Sequence, residues 1–202
     1  VIRNIVFDFG DVFIDLDKTA TPRALQRLGM EEFPLEMTQL FLEYEKGTVK
    51  TEAFLDRMQD SLPDAPREEI IEGWNSILLE FPLHRLEFLK ELAGRTELRL
   101  FLLSNTNELH INDVIRKMGE TDFHEFRSCF EGFYLSYELG MRKPDREIFE
   151  YVVGERELRP SETLFIDDTP ENTLSAESLG MHTWNLRVGK EEVTELHRRF
   201  EL

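Results

Sequence analysis

Two short apolar runs in this sequence end in carboxylates. Ile5-Val6-Phe7 leads into Asp8, and Leu164-Phe165-Ile166 leads into Asp167-Asp168. Runs rich in β-forming residues and apolar on both faces read as buried parallel strands, and open α/β sheets place their ligands at the C-terminal ends of such strands. Aspartate also terminates strands and caps helices, so either run alone says little. Together they suggest one shared site, most simply a divalent cation held by oxygen ligands. Two further polar stretches stand in comparable places. Ser104-Asn105 closes the apolar run 98–103, and Lys143-Pro144 precedes the amphipathic segment Ile148-Phe149-Val152-Val153.

The residue types of these four stretches suit phosphoryl transfer. Asp8 takes the part of a nucleophile, forming an aspartyl-phosphate that splits one hard displacement into two easier ones. A magnesium ion would be held by Asp8, Asp168 and the backbone carbonyl of Gly10, with Asp167 binding directly or through a water. Ser104, Asn105 and neighbouring backbone N–H groups would hold phosphate oxygens. Lys143 would bring positive charge to Asp8 and to the transferring group. Singly, a lysine is mostly solvated surface and a Ser-Asn pair is mostly turn chemistry. The order and context of all four carry the weight.

The elements that must position them follow from periodicity. Residues 2–9 are expected to form the first strand. From about Thr19 to Ala93 no strand-like run occurs, and apolar residues recur at helical spacing. One helix is expected to start at Thr21-Pro22 and end at Gly29, and Ile70-Trp74-Ile77 forms one stripe of a later helix. Residues 17–80 therefore read as a helical cap inserted into a core made of residues 1–16 and 81–202. In that core, strands at 98–103, 130–135, 163–166 and 183–186 alternate with helices, which implies right-handed crossovers and a Rossmann-like, doubly wound α/β fold with a parallel sheet of about five strands.

Composition narrows the function. The chain has 202 residues, 41% of them hydrophobic, enough for one good core with a small appended module. A formal net charge of -17 argues against nucleic acid or an anionic membrane as partner, and no apolar run reaches membrane-spanning length. A small anionic substrate stays compatible where local cations offset the field. Cys129 is the single cysteine and has no clear base beside it, so it reads as core filler. Val1-Ile2-Arg3 leads straight into a strand with no signal peptide in view, and a cytoplasmic setting is the expectation; oligomeric state stays open.

In order and spacing, Val6-Phe7-Asp8-Phe9-Gly10, Leu103-Ser104-Asn105-Thr106, Gly140-Met141-Arg142-Lys143-Pro144 and Phe165-Ile166-Asp167-Asp168 resemble the haloacid dehalogenase-like hydrolase superfamily from end to end. Leu103 to Asn107, Tyr134-Leu135-Ser136, Leu139 to Pro144 and Asp15-Leu16-Asp17 are similar to its bacterial α-D-glucose-1-phosphate phosphatase branch. The resemblance implies magnesium dependence, a mobile cap that gates the site, and phosphatase activity on small phosphorylated metabolites, sugar phosphates first. The dehalogenases of the superfamily lack the Asp pair, and its phosphonatases carry Ala where this chain has Gly10.

One departure stands out. Most phosphatases of the superfamily carry an acid/base Asp two residues after the nucleophile, and here that residue is Gly10. General acid–base catalysis is worth ~10²–10⁴-fold. Asp11 or Asp15 would replace it, or an anomeric leaving group would need little help, or the chain is a metal- or phosphate-binding regulatory protein. In the cap, Glu45-Lys46-Gly47 is placed to contact sugar hydroxyls or to form a solvated turn. Trp74 reads as bundle core, His110 and His124 as structural or exposed, and Arg142 as surface.

Overall fold

In the computed structural model, which describes residues 1–30 and 32–200, the strands Asn4–Phe7 (β1), Arg99–Ser104 (β2), Gly132–Leu135 (β3), Thr163–Asp167 (β4) and His182–Asn185 (β5) form one parallel sheet. Their spatial order is β3-β2-β1-β4-β5. β1 is the central strand, with Phe7 opposite Leu102 on one side and Ile166 on the other. Side chains alternate across it as a period of two requires. Ile5, Phe7, Leu100, Leu102, Leu164 and Ile166 face one apolar cluster, while Val6, Phe101, Leu103 and Phe165 face another.

The first cluster is covered by Leu83–Ala93 (α5), Glu108–Met118 (α6), Glu120–Ser128 (α7) and the C-terminal Leu196–Phe200 (α11). Arg146–Glu155 (α9) and Pro170–Ser178 (α10) cover the second, and one short turn of helix, Ser136–Leu139 (α8), follows β3. Between β1 and α5 lie Ala20–Arg27 (α1), Leu35–Glu45 (α2), Thr51–Ser61 (α3) and Arg67–Asn75 (α4), packed around an apolar cluster of their own that includes Leu25, Phe54, Met58 and Trp74. The chain enters and leaves this helical insertion along two paired segments. Asp17 N donates to Ile77 O at 2.9 Å, and Leu79 N to Asp15 O at 3.0 Å.

Three expectations need correction. Strand pairing covers Asn4–Phe7, not 2–9, because the chain turns tightly after Asp8: Phe13 N and Ile14 N both donate to Phe9 O. Thr21 does not cap α1. It lies inside the helix, buried, with its hydroxyl donating to Trp74 O at 2.9 Å, so a pairing across the insertion outweighs its capping propensity. Helix α7 was not expected, since residues 120–128 carry only the short apolar signal of Phe123 and Phe126, and a second helix directly after α6 breaks the strand–helix alternation.

Phe126 is the centre of an aromatic cluster, with ring centroids 5.2 Å from Phe9, 5.3 Å from Phe13 and 5.1 Å from Phe130. It supports the turn that follows Asp8. Phe126→Ala should cost about 3–5 kcal/mol in urea unfolding. A loss below about 1 kcal/mol would show that the turn does not lean on this ring.

Candidate active site

Asp8 is the first residue beyond β1, and its N–H still donates to Ile166 O at 2.8 Å. β1 and β4 are the neighbours between which the chain connections part to opposite sides of the sheet, the crevice where α/β sheets bind ligands. The sheet's register therefore brings Asp8 beside Asp167 and Asp168. One carboxylate oxygen from each of the three lies within 4.8 Å of the others, a hard-oxygen set that fits a divalent cation such as magnesium.

A buried ammonium holds two of these carboxylates. Lys143 Nζ lies 2.7 Å from Asp8 Oδ1 and 2.7 Å from Asp167 Oδ2, and the lysine is 1% exposed. Asn105 places it: Asn105 Oδ1 accepts from Lys143 N and Asn105 Nδ2 donates to Lys143 O, both at 2.8 Å. The side-chain amide expected to hold phosphate is thus spent on positioning the lysine backbone. Asp167 is fully buried and also accepts from Thr169 N at 2.8 Å and from Asn172 Nδ2 at 3.0 Å. Burial is the largest influence on Asp8 and pushes its carboxyl up to about 7; Lys143 opposes the rise and Asp167 adds to it. Burial disfavours the charged lysine, but Asp167 and Asp8 outweigh it and hold Lys143 above the usual lysine value.

Lys18, unremarked in the sequence although it adjoins Asp15-Leu16-Asp17, reaches Asp168 Oδ2 at 2.5 Å and Asp11 Oδ2 at 2.9 Å. Asp11 has a left-handed backbone (φ 56°), and its Oδ1 accepts from Leu16 N at 3.0 Å. Asp15 pairs with Arg85 Nη1 at 2.8 Å. Both candidates for the missing acid are therefore engaged elsewhere. The place where a side chain on residue 10 would point is also filled, since a Cβ on Gly10 would lie 2.7 Å from Leu16 Cδ1.

A cavity of about 230 Å³ opens over these residues. Asp8, Gly10, Ser104 and Lys143 line it from the sheet, Glu45 from the insertion. Arg142 is not the surface residue expected: it is half-buried, and its Nη2 donates to Glu45 Oε2 at 3.1 Å. His124 is exposed as expected. His110 lines the cavity, stacked 5.3 Å from Trp74. Its Nδ1 lies 3.1 Å from Asn107 Nδ2 and its Nε2 3.3 Å from Trp74 O, which assigns the neutral ring with the proton on Nε2. In the sequence, an isolated histidine in a helix gave no sign of this bridge between α6 and α4.

With this geometry in view, comparison with known proteins identifies the family. The model of the haloacid dehalogenase-like hydrolases matches residues 2–180. The chain belongs to that family. It is 30% identical over 202 residues to a D-ribitol-5-phosphate phosphatase of Bacteroides thetaiotaomicron, covering 97% of both chains. Among solved structures, a HAD-family enzyme of the same organism, complexed with magnesium and inorganic phosphate, aligns with a TM-score of 0.83 at 31% identity, covering 95% of this chain and 97% of that one. A predicted HAD-like family hydrolase from Porphyromonas gingivalis aligns with a TM-score of 0.83 at 32% identity, covering 98% and 97%.

Burial depresses His110 from 6.5 to about 4, although Trp74 O favours its charged form. Between these values the unfolded chain binds the proton and the folded chain does not, so stability falls as pH drops. From pH 7 to pH 5 the wild type should lose about 2 kcal/mol through this group. Urea unfolding of wild type and His110→Gln at both pH values checks it. An equal loss in the two proteins would remove His110 as the cause.

Proposed function

We propose that this hydrolase is a magnesium-dependent phosphatase of small phosphorylated sugars and polyols that works through an aspartyl-phosphate on Asp8. The observation that carries the reading is the Asp8 carboxylate at the floor of the cavity, 2.7 Å from a buried lysine and clustered with Asp167 and Asp168. The D-ribitol-5-phosphate phosphatase relative and the magnesium and phosphate complex of the Bacteroides enzyme support it.

Asp8 attacks phosphorus through the carboxylate oxygen not bonded to Lys143, and the alcohol leaves. Water then cleaves the acyl-phosphate. Lys143 holds the nucleophile in place and offsets charge as the phosphoryl group arrives. Ser104, at the end of β2, lines the cavity beside it and is placed to donate to a phosphate oxygen. Bound by Asp8, Asp168 and the Gly10 carbonyl, with Asp167 directly or through a water, magnesium would neutralise the negative charge shared by carboxylates and phosphate. Lys18, Arg142 and Lys143 supply local cations that a chain of net charge -17 otherwise lacks for an anionic substrate.

The test is phosphate release from D-ribitol 5-phosphate, glucose 1-phosphate and glucose 6-phosphate, in magnesium and in EDTA. Release should require magnesium and vanish in Asp8→Asn. Asp168→Asn should raise the magnesium concentration needed while leaving the thermal unfolding midpoint close to that of wild type. A preference for glucose 1-phosphate would support the glucose-1-phosphate branch; equal turnover of the two glucose esters would sink the idea that an anomeric leaving group compensates for Gly10. Silence of the wild type on every ester would favour a binding protein.

A further inference from the structure

Transfer to Asp8 runs in line, so the leaving oxygen departs on the side of phosphorus opposite the nucleophile. Asp8 is at the sheet, and the opposite wall of the cavity is the helical insertion. A primary alcohol such as that of a polyol phosphate leaves poorly as an alkoxide and needs a proton. The position that commonly supplies it in this family is Gly10, whose missing side chain would meet Leu16, and Asp11 and Asp15 are bonded elsewhere.

Glu45 ends α2 and is the carboxylate that the insertion presents to the cavity. It is held there from several sides. Its backbone oxygen accepts from Ser136 Oγ at 2.7 Å, and Arg142 Nη2 anchors its side chain at 3.1 Å. The adjoining turn is pressed onto the core: Lys46 Nζ pairs with Asp145 Oδ2 at 2.9 Å, and a Cβ on Gly47 would lie 2.0 Å from Tyr137 O. Arg142 Nε is buried without a partner among the described residues, a donor left over beside the carboxylate and suited to a hydroxyl of the substrate.

We propose that Glu45 is the catalytic acid and base, protonating the departing alcohol and then accepting a proton from the attacking water. This rests on the phosphatase reading above. In the first step an Asp8 oxygen bonds to phosphorus, the bond from phosphorus to the alcohol oxygen breaks, and the Glu45 proton goes to that oxygen. In the second, the oxygen of water bonds to phosphorus from the side the alcohol left, the bond to Asp8 breaks, and the proton of water returns to Glu45. The site ends as it began. Burial raises the Glu45 carboxyl above the usual range, outweighing Arg142 and Lys143, and so favours the protonated form that the first step uses.

The test compares first turnovers of wild type and Glu45→Gln, in magnesium, on D-ribitol 5-phosphate and on p-nitrophenyl phosphate, whose leaving group needs no proton. On the alkyl ester the first turnover of Glu45→Gln should fall by ~10²-fold or more. On the aryl ester it should give a burst of about one equivalent of p-nitrophenolate per site, at a rate within several-fold of wild type, followed by a slow steady state as the acyl-phosphate waits for water. The burst also reports that the variant is folded and binds ester. An unchanged first turnover on the alkyl ester overturns the proposal, as does an equal fall on both esters, which would mark Glu45 as a binding or structural group. A wild type silent on both esters removes the phosphatase reading itself, and this inference with it.

Discussion

One ammonium shared by two buried carboxylates is the constraint on which the rest of this structure depends. Lys143 sits between Asp8 and Asp167 with almost no access to water, and its Nζ also lies 5.4 Å from the centre of the Phe165 ring. A lone charge in such a place is prohibitively costly, and removal of either partner leaves the other exposed to that cost. The surrounding polar groups exist to prevent it. Asn105 clamps the backbone of the lysine, while Asn172 and the N–H of Thr169 saturate Asp167. Two ammonium groups, Lys143 and Lys18, face the four carboxylates of Asp8, Asp167, Asp168 and Asp11, so the group still carries an excess of negative charge. The oxygens of Asp8, Asp167 and Asp168 lie close enough together to suit a divalent cation, and burial is the main reason the Asp8 carboxyl is raised.

The second constraint is that the chemistry needs a roof. In the proposed mechanism the strand ends supply Asp8 and the Asp167-Asp168 pair, and the turn before α9 supplies Lys143, but none of these lies on the far side of a phosphate bound to Asp8. The helical insertion supplies that side. It is tied to the core by the paired segments at 15–17 and 77–79 and by contacts around the cavity: Glu45 with Arg142, Glu45 O with Ser136, Thr51 with Glu108, and His110 with Trp74. Apolar packing joins these polar bonds, since Leu109 of α6 packs against the apolar cluster of the insertion and His110 stacks on Trp74.

Leu16 shows how the two constraints meet. It follows the turn after Asp8 and packs over Gly10, with its flexible Cδ1 end where a side chain on residue 10 would begin. The same segment carries Lys18 to Asp168 and Asp11. The first linker to the insertion therefore touches both the turn after Asp8 and Asp168.

The strand-end carboxylates, the parallel sheet and the helical segment between the first two strands were legible in the amino-acid order, because buried parallel strands are nearly continuous apolar runs and a polar residue at their ends is conspicuous. The hydrophobic pattern likewise placed Trp74 in the core of the insertion. What local pattern could not reveal was which polar side chains meet across elements distant in the chain. Arg142 read as surface because its partner, Glu45, is 97 residues away. Asn105 read as a phosphate ligand because its bond to Lys143 depends on how β2 and the 140–144 turn pack. The sequence by itself determined the sheet and its chemical floor, since burial and strand period act locally; tertiary structure alone decided the roof, since a long-range ion pair exists only once two independently formed surfaces have been brought within hydrogen-bonding distance.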